Sequence, residues 1–207
     1  MNDRTFNHQL LIKWLFLLLC FHVAIFTVAV MDYLPIPDEL INWSHIILTA
    51  GTILCFFQLS AVDNRYRLVA IFRTILLART LFFMLLPDTV LLSLYQAKGY
   101  EIIFTALNIM VLVLSWVATC LEYRTHGKLV LEQAPKLSKN WTILLLCNLG
   151  YALLSSAVSM SIGHLYDVLH LGISAINVVH YVVQFGNSVF ALIYLWFLYQ
   201  TILKIKK

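Results

Sequence analysis

The chain has 207 residues, 61% of them hydrophobic and only 12% charged, with seven glycines and a formal net charge of +4. Soluble domains carry roughly a quarter charged residues, so this composition excludes one and points to a polytopic membrane protein. The loops between apolar runs are too short to hold a soluble catalytic or nucleotide-binding domain. The positive balance is explained by topology and by anionic lipid headgroups of the bilayer, without nucleic acid.

In chain order, apolar runs at about Trp14–Met31, Ile41–Ser60, Phe72–Tyr95, Ile102–Leu121, Trp141–Ile162 and Gly172–Leu198 reach or approach the roughly 20 residues that span a 30 Å hydrocarbon core. The predicted fold is an all-α integral membrane protein: six transmembrane helices in a single domain, 1–207, packed as a six-helix bundle. The first run follows Arg4 and Lys13 as a signal peptide would. It is too long for one, and Val28-Ala29-Val30-Met31 lacks a small-residue cleavage pattern, so a retained helix is expected. Cys20, Cys55, Cys120 and Cys147 all fall inside runs without a Cys-x-x-Cys pair and read as small hydrophobes.

Basic residues set the orientation. Arg4 and Lys13 precede the first run, Arg65 and Arg67 follow the second, and Arg124, Lys128, Lys136 and Lys139 follow the fourth. Lys204, Lys206 and Lys207 close the chain, whereas the opposite loops hold Lys98 beside Asp32, Asp38, Glu39, Glu101 and Asp167. By the positive-inside rule both termini are cytoplasmic, and the expected location is the cell (inner) membrane.

An internal repeat is visible. His45-Ile46-Ile47-Leu48-Thr49-Ala50-Gly51-Thr52-Ile53-Leu54 and Glu101-Ile102-Ile103-Phe104-Thr105-Ala106-Leu107-Asn108-Ile109-Met110 share five identities in ten positions, and Leu171–Val179 is a looser copy. Trp14–Cys20 matches Trp141–Cys147, with Arg73–Arg79 between them. The spacings Trp14 to Thr49, Arg73 to Thr105 and Trp141 to Ser174 are 35, 32 and 33 residues. This predicts three parallel two-helix hairpins, at about 10–60, 68–122 and 140–203, with a cytoplasmic loop 123–140 between the second and third. Chance matching of leucine-rich helices is the alternative.

Polar residues recur at helical intervals. The last helix carries Ser174, Asn177, His180, Gln184 and Asn187. The fourth carries Thr105, Asn108, Ser115, Thr119 and Glu122, the fifth Asn148, Tyr151, Ser155 and Ser159, and the second His45, Thr49 and Thr52. Because an unsatisfied polar group in hydrocarbon costs several kcal/mol, such stripes are expected to face one another or water. They are either interhelical glue or the wall of a polar intramembrane cavity. On the cavity reading the ligand candidates are Arg79, His180, Gln184, Asn187, Asn177, Asn108, Thr49 and Thr105. Aligned to the repeat, Arg73 sits at the cytoplasmic edge and Arg79 about 9 Å deeper at 1.5 Å per residue. Arg79 then either snorkels to inner-leaflet phosphates or anchors an anionic ligand.

Histidines raise two further chemistries. His22 and His180 lie mid-span at similar depth, which makes a bis-histidine haem conceivable. His164, Asp167 and His170 recur at three-residue intervals and would share a face of a continued helix, as metal ligands or as hydrated loop residues. No catalytic motif is present: neither His-Glu-x-x-His, nor Gly-x-Ser-x-Gly, nor a glycine-rich phosphate loop. The expected function is a non-enzymatic sensor or a binding subunit of a larger complex. It would dock a protein partner through the basic loop 123–140 and the C-terminal tail. The alternatives are a transporter or pore for a small anionic solute, acting as a homo-oligomer, and a haem-bearing redox protein.

Overall fold

Helix is the one local structure that satisfies every backbone N–H and C=O inside its own segment, and an apolar chain of this kind uses little else. A computed structural model describes residues 3–31, 37–87, 89–90, 93, 99–169 and 173–206, and the side chains of these except 3–7, 101, 159–169 and 173–177. Among the described residues the elements are α1 (Asp3–Met31), α2 (Asp38–Ser60), α3 (Arg65–Leu85), α4 (Tyr100–Leu129), α5 (Pro135–Leu169) and α6 (Ile173–Lys206). All six are long and apolar enough to cross a membrane. Large apolar side chains stand exposed along them, among them Ile47, Ile102 and Phe185 at 66, 77 and 71%. Such exposure is stable where hydrocarbon is the solvent.

Several element boundaries differ from the sequence expectation. The third run was expected to reach Tyr95, but α3 ends at Leu85 because Pro87 forces the residue before it out of helical geometry: Leu86 is extended at φ −71°, ψ 128°. The same helix begins at Arg65, seven residues before the apolar run, since Tyr66, Val69 and Ala70 are buried on its inner face. The expected loop 123–140 is mostly helical. Only residues 130–134 separate α4 from α5, and Pro135 opens α5 at a position where a missing N–H costs nothing.

Several hydroxyls, Thr52, Thr119 and Ser155 of the polar stripes among them, bond within their own helix. Thr74, Thr80, Thr119, Thr125 and Ser188 donate to the carbonyl four residues earlier, and Thr52 and Ser155 to the carbonyl three residues earlier, at 2.7–3.2 Å. A hydroxyl on a helix can satisfy itself in this way, so Thr80 sits exposed with its donor used.

The chain divides into two compact units, Met1–Thr125 and His126–Lys207. In the first, α2 packs against both α1 and α3. Leu15, Leu18, Phe56, Leu59, Tyr66 and Val69 are fully buried, with the Phe56 and Tyr66 rings stacked 6.0 Å apart. The α2–α3 turn is fixed by Asp63. Its carboxylate accepts the Arg65 backbone N–H at 3.0 Å and the Arg65 guanidinium Nε at 2.8 Å. Close approach of α1 and α2 depends on Gly51, where a Cβ would overlap the Phe21 ring.

In the second unit, α5 and α6 pack around Trp141, which is fully buried. Its Nε1 donates to Thr201 Oγ1 at 3.0 Å, and its ring lies 5.1 Å from His126 and 5.5 Å from Tyr194. About 15 Å further along α5 at 1.5 Å per residue, Tyr151 lies over Gly186 and its hydroxyl donates to the Val183 carbonyl at 2.7 Å. Small residues at such crossings let helices approach closely, and packing is the main source of helix association in lipid.

The two crossing glycines should therefore tolerate a side chain poorly. Gly51→Val and Gly186→Val are expected to lower the thermal unfolding temperature of the detergent-solubilised protein by several degrees. Gly150→Ala, where a Cβ meets nothing within 4 Å, should be neutral or stabilising by up to about 1 kcal/mol through helix propensity.

Candidate functional site

Charge in the first unit gathers between α1, α3 and α4. Glu122 on α4 is buried at 1% exposure, and its Oε2 accepts a hydrogen bond from Arg73 Nη2 of α3 at 3.0 Å. Arg73 is eight residues from the start of α3 and Glu122 seven from the end of α4. Both therefore sit about 10–12 Å in from those helix ends on a 1.5 Å rise. Because α3 begins at Arg65, Arg73, expected at the cytoplasmic edge of the membrane, lies two turns along its helix.

His22 of α1 completes the cluster. Its Nδ1 donates to the Leu18 carbonyl at 2.9 Å, and its Nε2 stands 3.9 Å from Glu122 Oε1. With Nδ1 holding a proton, Nε2 and the carboxylate attract each other only when a further proton lies on one of them. The site is thus built to hold a carboxylate between a permanent cation and a group that takes or gives a proton.

Arg73 has a second aspect. It lines a groove of about 240 Å³ between α2 and α3 together with Asn42, His45, Thr49 and Thr80. The α2 residues Asn42, His45, Ile46 and Thr49 and the α3 residues Arg73, Leu76, Leu77, Thr80 and Met84 each recur at intervals of three and four, so two matching helix faces form its walls. The groove runs from the first turns of α2 down to the Arg73 guanidinium.

Arg79 and Asn108, both candidates from sequence, are brought together: Arg79 Nη2 donates to Asn108 Oδ1 at 3.0 Å. The guanidinium also lies 4.8 Å from the centre of the Phe83 ring, one turn further along α3. Both partners lie toward the C-terminal end of α3, so Arg79 does not snorkel back toward the end where that helix begins. Its Nε is buried with no hydrogen-bond partner among the described residues. Asn108, Ser115 and Glu122 recur every seven residues and so share the face of α4 that meets both arginines.

The remaining candidates are more dispersed. Thr49 is half-buried in the α2–α3 groove, whereas Thr105 is exposed on α4. In the second unit, His180 and Asn187 are exposed on α6 and Gln184 is half-buried. The side chains of Asn177, Ser174, His164 and Asp167, and all of His170, lie outside the described residues. Of the two histidines raised for haem, His22 has Nδ1 on the Leu18 carbonyl and Nε2 3.9 Å from Glu122 Oε1, and His180 is exposed on α6. The Arg73–Glu122 pair joins two helices, so no spacing along α3 announces it. The available signal was the seven-residue recurrence on α4.

No protein-family model, curated protein or solved structure matches the chain.

Breaking a buried ion pair from one side costs more than removing it whole, since a lone charge is left in a low dielectric. Arg73→Gln should destabilise the protein, by less than the roughly 3 kcal/mol of a fully buried pair because the Arg73 side chain is 30% exposed. Arg73→Gln combined with Glu122→Gln should recover most of that loss. Unfolding of the wild type, both single variants and the double variant in one detergent measures the coupling.

Proposed function

We propose that this protein is a non-enzymatic membrane-embedded binding protein, a sensor or a subunit of a larger complex, whose ligand is a small anion seated at Arg73. The observation that supports it is the position of one side chain: Arg73 lines the α2–α3 groove on one side and holds buried Glu122 on the other. Ionisable groups within a membrane are costly to keep and tend to mark sites of function. An anion entering past Asn42, His45 and Thr49 offers Arg73 a competing acceptor. Glu122, once unpaired, then takes up a proton, with His22 beside it as the nearest exchanger. Occupancy is thereby linked to proton uptake and to loosening of α4 from α1 and α3, which gives a sensor its two states.

The polar mouth of the groove equally suits the second reading, a transporter or pore for a small anionic solute. Topology belongs to the same proposal: three hairpins, α1–α2, α3–α4 and α5–α6, arranged as parallel copies with both termini cytoplasmic in the cell membrane. Each hairpin has its own clasp, Phe21 over Gly51, the two arginine bonds to α4, and Tyr151 over Gly186.

Calorimetry of the purified full chain with inorganic phosphate, sulfate and acetate tests the reading. At least one should bind saturably with uptake of a proton. Glu122→Gln should tighten binding by removing the competitor, and the Arg73→Gln/Glu122→Gln double variant should abolish it. Binding unchanged in the double variant would sink the proposal. Proteoliposomes should show no flux of the bound anion, and measurable flux that depends on Arg73 would establish the transporter instead. For topology, a cysteine at Asp38 should react with an impermeant thiol reagent from outside intact cells and one at Gln133 should not. The opposite pattern would overturn the orientation.

A further inference from the structure

The second unit carries a separate feature, independent of the reading above. Between α5 and α6 lies an open groove of about 460 Å³, lined from Asn140 through Ile143 to Cys147 on α5 and by Phe190, Ile193 and Phe197 on α6. Its volume falls in the range of small-ligand sites, yet beyond Asn140 its lining is apolar. It is open along its length, so in a bilayer its occupant comes from the lipid phase.

One end of this groove is charged, and helical register shows why. Phe190, Phe197 and Lys204 are spaced by seven, and Lys136 precedes Asn140 by four and Ile143 by seven, so each lysine continues the face that lines the groove. The two helices are antiparallel and level where Trp141 Nε1 meets Thr201 Oγ1 at 3.0 Å. From that point Lys136 stands about 7 Å and Lys204 about 5 Å along, toward the same end, at 1.5 Å per residue. Both lysines are exposed, and Lys139 and Lys206 are exposed at the same end. Two cations thus stand over the end of an apolar groove marked by Asn140.

We propose that this groove is a binding site for an anionic phospholipid, one acyl chain lying between Ile143 and Phe190–Phe197 and the headgroup phosphate held between Lys136 and Lys204. An apolar groove alone would accept any lipid tail. The paired lysines at its mouth are what select a negatively charged headgroup, each contributing about a fivefold preference at a membrane surface. Asn140 supplies a neutral donor at the glycerol level, and the exposed Cys147 marks the deep end of the tail channel.

The test is the lipid that the purified full chain retains after exchange through mixed micelles of equal phosphatidylglycerol and phosphatidylcholine, quantified in the extract. About one phosphatidylglycerol per chain should remain, at least fivefold over phosphatidylcholine. The preference should fall to near unity in Lys136→Gln/Lys204→Gln and recover in Lys136→Arg/Lys204→Arg. Raising the ionic strength should erase it in the unsubstituted protein, a readout that holds even if a variant folds poorly. Ile193→Trp, which fills the groove, should reduce retention of both lipids. Equal retention of the two lipids by the wild type overturns the proposal, as does a preference that survives the double glutamine variant. If Ile193→Trp changes nothing, the lipid sits elsewhere and the groove assignment is wrong. A chain dimer lost on Ile193→Trp, with no lipid retained, assigns the groove to a second copy and overturns the lipid.

Discussion

The hydrogen-bonded ion pair between Arg73 and Glu122 is the interaction on which the first unit depends. Neither charge is tolerable alone where it stands, and together they tie α3 to α4 at a level where the surrounding residues are apolar. His22 brings α1 to the same carboxylate. Three helices are thereby given a common register, which the Arg79–Asn108 bond between α3 and α4 reinforces. Replacement of the pair by apolar residues would satisfy stability as well. Its retention at the floor of a polar groove is therefore what links structure to the proposed sensing.

Around that pair, association relies on shape. Lipid tails are as apolar as leucine, so burying leucine between helices releases little, and close packing must substitute for hydrophobic drive. Gly51 beneath Phe21 and Gly186 beneath Tyr151 serve this purpose in the two units, while Trp141, His126 and Tyr194 form a ring cluster in the second. Several hydroxyls, Thr52, Thr119 and Ser155 of the stripes among them, return their donors to their own helix. Amides and charges lack that local outlet. Asn108, Glu122 and the two arginines therefore bond between helices, as Thr201 does by accepting from Trp141.

Much of the candidate site was legible in part. Arg79 and Asn108 were both marked by their polarity within apolar runs, and the structure joins them; Thr49 was marked and lies in the groove. The helix that carries Arg73 starts before the apolar run, since Arg65–Ile71 belongs to it through the buried Tyr66, Val69 and Ala70. The face of α4 that carries Asn108, Ser115 and Glu122 was written in the sequence at intervals of seven. Its partner helix was not.

The sequence by itself determined that this is a chain of six helices long and apolar enough to cross a membrane, because helix is the only open-ended structure that hydrocarbon permits and length follows from bilayer thickness. It also determined where charges interrupt those helices. Only the tertiary structure decided which charges meet and which hydroxyls turn back on their own helix. Periodicity specifies a face and a depth on one helix. Which neighbour occupies that face is settled by close packing at a few small residues, and an apolar, leucine-rich pattern is compatible with many such neighbours.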